Sequence, residues 1–225
     1  LLSAGQRRHA LEIVRAAFER TPWDSEIFGL YLTLLEQDPN TSGEIPEVLR
    51  RTIAYLTKDG LPPLPSKDRK AIDLGVLLLD AYDRAVGWHI WNDKDPNAAL
   101  DLARIELAYA PDHAPAHANA GQAHVLKGDR VRAIESFQRA IAIDPQKSGA
   151  CYASLARLFA LEGDFQRAAE TARQGLRHYP DAPALAPLLI ENLARMGDVE
   201  GAISAFRSVV TKPKVAEAAY DTLAV

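Results

Sequence analysis

The sequence predicts an all-α solenoid built from antiparallel helix pairs, and three recurring columns carry that prediction. Gly128, Gly163 and Gly197 each precede an aspartate, Asp129, Asp164 and Asp198, and Gly5 falls in the same column near the N-terminus. Five places after each glycine stands a small residue, Ala10, Ala133, Ala168 or Ala202, with Ala99 in register upstream. Pro22, Pro111, Pro145 and Pro180 close their units, the last three at intervals of 34 and 35 residues. Gly87 and Gly121 share one further column, which Ala156 continues. Self-similarity at a nearly fixed period of this length marks a repeat array, in which each unit buries its apolar face against its neighbours. An alanine or glycine where two helices cross lets their backbones approach, and proline cannot continue the helix it follows. The Gly-Asp pair reads as a C-terminal stop for one helix followed by the N-cap of the next.

Taken in order, Gln6 to Glu19 forms a helix with Leu11, Val14 and Phe18 on one side, ended by Pro22. Asp24 or Ser25 caps a second helix through Ile27, Leu30, Leu34 and Leu35, which stops before Pro39. Pro46 to Leu56 is helical through Val48, Leu49, Ile53 and Leu56 but lacks the small-residue columns. The stretch KDGLPPLPS is a stiff, extended connector. Ser66 is placed to cap the next segment, which runs to Asn92 with Gly75 and Gly87 as its only internal breakers, so a break near Gly75 is expected. From Pro96 the alternation is regular: helices near 96–109, 114–127, 130–143, 148–161, 165–178, 183–195 and 199–211. Val215 to Val225 begins another helix, either a cap or the first piece of a further repeat. The expected division is therefore 1–65, irregular or partial helix pairs with the proline-rich connector, 66–214, a regular array with a long first helix, and 215–225, the start of a terminal helix.

Composition narrows the class. The 225 residues are 48% hydrophobic but only 7% aromatic, which predicts a large, alanine-rich core. Net charge is −4; residues 1–111 carry 13 basic and 17 acidic side chains and the rest 13 of each, so neither half has the positive excess of a nucleic-acid binder. No apolar run approaches the roughly 18 residues that a membrane span needs. The lone Cys151 excludes an internal disulfide. Met196 is the only methionine, and Gly5, Ala10, Ala17 and Pro22 fit the second half of a unit, so Leu1 reads as the middle of a repeat in a larger protein. Eighteen arginines against eight lysines, with abundant alanine, point to a GC-rich bacterial source. The compartment stays open between cytoplasm and periplasm.

The columns resemble the tetratricopeptide repeat family, strongly over residues 80–214 and partially before that. Ile190 and Glu106 depart from the pattern by standing where that family has a small residue. The resemblance implies a right-handed superhelical solenoid whose concave face is lined by the first helix of each pair, and a protein or peptide partner held there. On that face fall Arg84, Trp88 and Trp91 of the long helix, Asn119 and Gln122 of the next unit, and Ser154 and Arg157 of the one after. These seven are the candidate partner-binding residues. The groove is otherwise small and apolar, through Pro115, Ala118, Val125, Ala150, Ala153, Ala160, Ala184, Pro187 and Leu188.

Two specialisations of the family are disfavoured. Ala118, Gln122, Ser154, Ala184 and Leu188 stand where a carboxylate clamp would need lysine, arginine and asparagine. An asparagine ladder has only Asn119, because Ser154 and Leu188 break it. Trp88 and Trp91 with Arg84 have the composition of a binding hot spot, against the plainer reading that they pack on the helix at Pro46 to Leu56. His113, His117 and His124 invite a metal site, but His117 and His124 fall in columns of large packing residues matched by Tyr152 and Phe159, so no metal is expected. Cys151 reads as packing, and Arg130, Arg132, Arg139, Arg167, Arg173 and Arg177 as a solvated outer surface. No GxSxG elbow, phosphate loop, HExxH or paired-cysteine spacing occurs, so neither cofactor nor catalysis is expected. Two functions follow: a protein-interaction scaffold gripping a peptide or helix, or an auxiliary domain of bacterial polysaccharide-export or glycosyltransferase machinery.

Overall fold

The computed structural model describes residues 4–209. These hold eleven α-helices, one 3-10 turn and no strand, and divide into two compact units, Leu1–Pro111 and Asp112–Val225. The terminal helix expected over Val215 to Val225 lies outside the described residues.

The first unit contains α1 (Ala4–Arg20), α2 (Ser25–Glu36), the 3-10 turn Ser42–Glu44, α3 (Ile45–Thr57), α4 (Arg69–Trp91) and α5 (Pro96–Tyr109). Its core is aliphatic and aromatic: Phe18, Phe28, Leu32, Leu35, Leu49 and Leu78 are essentially inaccessible to solvent. Asp24 caps α2, its Oδ1 accepting from the amides of Glu26 and Ile27 at 3.0 Å each. Arg15 on α1 donates to both carboxylate oxygens of Glu44 at 2.8 Å and to the Tyr31 hydroxyl at 3.1 Å, which ties α1, α2 and the 3-10 turn together.

Four local expectations are corrected here. Asp68, not Ser66, caps α4, accepting from the Lys70 amide, while Ser66 Oγ accepts from the Asp68 amide one step earlier. The helix does not break at Gly75 but continues for 23 residues. The glycine is there for packing: a Cβ would come within 3.0 Å of the Tyr109 hydroxyl and 3.3 Å of Leu64. Gly5 lies inside the first turn of α1 rather than at a left-handed helix stop. Gly87 also differs from its column partner Gly121, since a Cβ at Gly87 would meet open space.

The second unit contains α6 (Ala114–Lys127), α7 (Arg130–Ile143), α8 (Gly149–Leu161), α9 (Phe165–His178), α10 (Leu185–Arg195) and α11 (Val199–Val209). Each first helix packs on its second, α6 on α7, α8 on α9 and α10 on α11, and α8 and α10 also pack back on α7 and α9. The Gly-Asp columns do what their chemistry predicts. Gly128, Gly163 and Gly197 have φ of 78°, 78° and 80°, the left-handed conformation in which a helix ends without a Cβ penalty. The next residue, Asp129, Asp164 or Asp198, then accepts an amide from the first turn of the following helix, that of Arg132, Arg167 or Gly201, at 2.9–3.1 Å. At the crossings Ala133 and Ala168 are fully buried and Ala202 nearly so. Ile190, the departure in α10, is accommodated inside the apolar cluster that α10 shares with Tyr152, Leu185, Leu193 and Ala202.

Candidate partner-binding site

An apolar opening of the first unit is a cavity of about 450 Å³ bounded by α3, α4 and α5. Pro46, Leu49 and Ile53 of α3 form one side, and Trp88 with Leu102 of α5 the other. Ala54 and Ala85 contribute little volume, which is why the space stays open. Two polar side chains reach its edge. Arg50 is exposed and paired with Glu47 at 2.6 Å, and His89 is partly buried.

The end of α4 fixes this wall. Trp88 Nε1 donates to Asp93 Oδ1 at 3.1 Å, and His89 Nδ1 lies 2.8 Å from Asp93 Oδ2, an ion pair whenever the imidazole is protonated. The amides of Asn92 and Asp93 both donate to the Trp88 carbonyl, and the Asp95 amide donates to that of His89 at 2.9 Å. Lys94 completes the turn with φ of 54°, the one non-glycine among the described residues in the left-handed region. Such a residue stores strain of order 1 kcal/mol, and strained positions cluster at working sites.

The candidate residues separate. Trp88 packs against the core of its unit and also walls the cavity. Trp91 is 59% exposed, with the Lys94 ammonium 5.6 Å from its ring centroid. Arg84 is held on the surface by both carboxylate oxygens of Asp80 and by Glu36 at 3.7 Å, away from the cavity. In the second unit Asn119 and Gln122 are half-buried on α6, as is Ser154 on α8, where Arg157 is exposed. None of these four lines the roughly 310 Å³ cleft of that unit, which lies among Ile141, Tyr152, Leu155, Phe159 and Thr171. Sequence reasoning missed Ala54, Leu102 and Asp93, because nothing in a helical period tells which small residue leaves a void or which turn carboxylate folds back.

Burial pushes the Cys151 thiol up to about 11, and the buried side chain packs in the cluster with Phe137, Leu155 and Phe159. Burial likewise holds the half-buried His124 imidazole below its ordinary value. The six arginines of α7 and α9 are all exposed; Arg132, Arg139 and Arg167 pair with Asp129, Asp112 and Asp164. Glu106 is fully buried, and desolvation first, then Asp83, raises its carboxyl to about 9, so it is neutral at physiological pH.

Two sequence profiles described as tetratricopeptide repeat match this chain, over residues 91–148 and 125–189. Residues 91–189 are made of tetratricopeptide repeats. Solved structures agree on the fold over nearly the whole chain. It is similar to BtubC (BKLC) from P. vanneervenii, with a TM-score of 0.67 at 14% identity over 96% of this chain and 90% of that one. It is similar to PilW, described as a widely conserved type IV pilus biogenesis factor, with a TM-score of 0.65 at 14% identity over 97% and 91%. It is also similar to YrrB, described as having an unusual peptide-binding site, with a TM-score of 0.57 at 16% identity over 96% and 100%. No curated protein matches the chain in sequence. No helix among the described residues is long and apolar enough to cross a membrane.

Proposed function

We propose that the protein is a non-catalytic scaffold that grips an apolar peptide or helix of a protein partner. The observation that supports this best is the cavity at Trp88. Its lining is apolar, its volume of about 450 Å³ falls in the range of sites that take a bulky side chain, and an indole forms its wall. A partner helix that inserts one apolar anchor there would then run past Trp91 and Arg84 on the surface of α4. Within the second unit, Asn119, Gln122, Ser154 and Arg157 would offer polar contacts of their own on its first helices. The peptide-binding description of YrrB lends the reading a precedent on this fold. The only thiol in the chain is buried and held far above neutrality, which leaves no sulfur nucleophile at work. No arrangement of side chains among the described residues favours the polysaccharide-machinery reading.

The test fills the cavity without disturbing the core. Ala54 is exposed at its edge, so Ala54→Trp should plug it at unchanged melting temperature. Partners recovered by the native chain under gentle salt should be lost with Ala54→Trp. Their retention by Ala54→Trp, with the same thermal stability, would sink the proposal.

A further inference from the structure

We infer that Asp93 is a positioning residue for the cavity at Trp88: its carboxylate holds the Trp88 indole as a fixed wall beside His89, so an apolar anchor meets a preformed space. The inference rests on the reading of that cavity as a binding site.

Oδ1 of Asp93 accepts from Trp88 Nε1 at 3.1 Å, and Oδ2 lies 2.8 Å from His89 Nδ1 without a hydrogen bond to it. Both of those side chains line the cavity, and Asp93 itself does not. It acts from behind. A helix-stabilising role does not explain the carboxylate. Asp93 sits just past the C-terminus of a 23-residue helix, the negative pole of the macrodipole, where an anion is disfavoured. Nor does the ion pair explain it, since side-chain exposures of 29% for His89 and 43% for Asp93 leave the pair open to screening by solvent. The backbone is bent to the same end: with Lys94 in the left-handed region and the Asp95 amide bonded to the His89 carbonyl, the turn folds the Asp93 side chain back over the last turns of α4. The remaining charged neighbours are accounted for, because Arg50 on α3 is paired with Glu47 and the Lys94 ammonium lies over Trp91. A wall whose rotamer is fixed before binding loses less entropy when an anchor enters, which raises affinity without adding a contact.

The test is done on the full chain with Trp23→Phe and Trp91→Phe, so that Trp88 is the sole indole, using acrylamide quenching and titration with the apolar dye 1-anilinonaphthalene-8-sulfonate. Asp93→Ala should raise the quenching constant of Trp88 about twofold and weaken dye affinity about fivefold, with the far-ultraviolet spectrum unchanged. Asp93→Asn should restore the quenching constant, because its amide oxygen accepts the same indole bond. Unchanged quenching in Asp93→Ala overturns the inference, and so does raised quenching with unchanged dye affinity. Failure of the underlying cavity reading is separately visible, as dye and partner binding that Ala54→Trp does not affect.

Discussion

The ring of Phe137 on α7 occupies the space that a side chain on Gly121 of α6 would need: a Cβ there would lie 2.7 Å from the ring edge. Phe137 is 2% exposed and cannot swing into solvent, so the two helices approach this closely only because residue 121 is glycine. Gly121→Ala gains up to about 1 kcal/mol of helix propensity. It loses more to overpacking, and the net effect should be a destabilisation of about 1–2 kcal/mol in urea unfolding. Adding Phe137→Leu should make the Gly121→Ala step less costly, because the smaller side chain leaves room for the new methyl.

Gly163 presents the opposite case. A Cβ there would meet nothing within 4 Å, yet φ is 78°, so only conformation resists substitution. Gly163→Ala should cost about 1–2 kcal/mol and Gly163→Asn clearly less, since asparagine tolerates the left-handed region. Equal costs for the two variants would show that packing, not φ, selects the glycine.

Glu106 makes stability depend on pH. Its folded pKa of about 9 lies above the 4.5 of an unhindered carboxyl, so the folded state binds the extra proton between those values. The contribution of this group is therefore fully present below about pH 4.5 and is lost as pH rises toward 9. Between pH 5 and pH 8 the native protein should lose up to about 4 kcal/mol relative to Glu106→Gln, which keeps the shape and cannot ionise. Parallel stability–pH curves for the two proteins would contradict a neutral, buried Glu106.

Cys151 should resist thiol reagents while the protein is folded. With the side chain buried and the thiol pushed to about 11, reaction with a disulfide reagent at pH 8 should be slower than in urea-unfolded protein by at least about a hundredfold. Comparable rates in the two states would mean that α8 opens locally near its start.

Much of the fold was legible because a helix pair advertises its ends and crossings chemically. The sequence expectations 96–109, 114–127, 130–143 and 165–178 coincide with α5, α6, α7 and α9, each ended by a Gly-Asp or proline signal that acts within a few residues. The misreadings came where a local signal had two physical uses. Gly75 looked like a helix breaker and instead admits Tyr109 and Leu64, contacts that lie far away in sequence. Ser66 and Asp68 are both capping residues, and the backbone placed Asp68 at the cap with Ser66 supporting it.

For the candidate site the balance is reversed. Trp88 could be singled out from helical spacing, and Arg84 and Trp91 with it, but their separation into a cavity wall, an ion-paired surface group and an exposed ring could not.

By itself, then, the chain determined the repeat: where helices start and stop, and which small residues stand at their crossings, since those depend on φ, on caps and on side-chain size within one or two turns. Only the tertiary structure decided that α3, which lacks the repeat columns, leaves a void against Trp88, and that Asp93 turns back onto Trp88 and His89. A void is a property of several side chains meeting from different helices, and its volume is set by how far apart the backbones settle, which no period along one strand of sequence records.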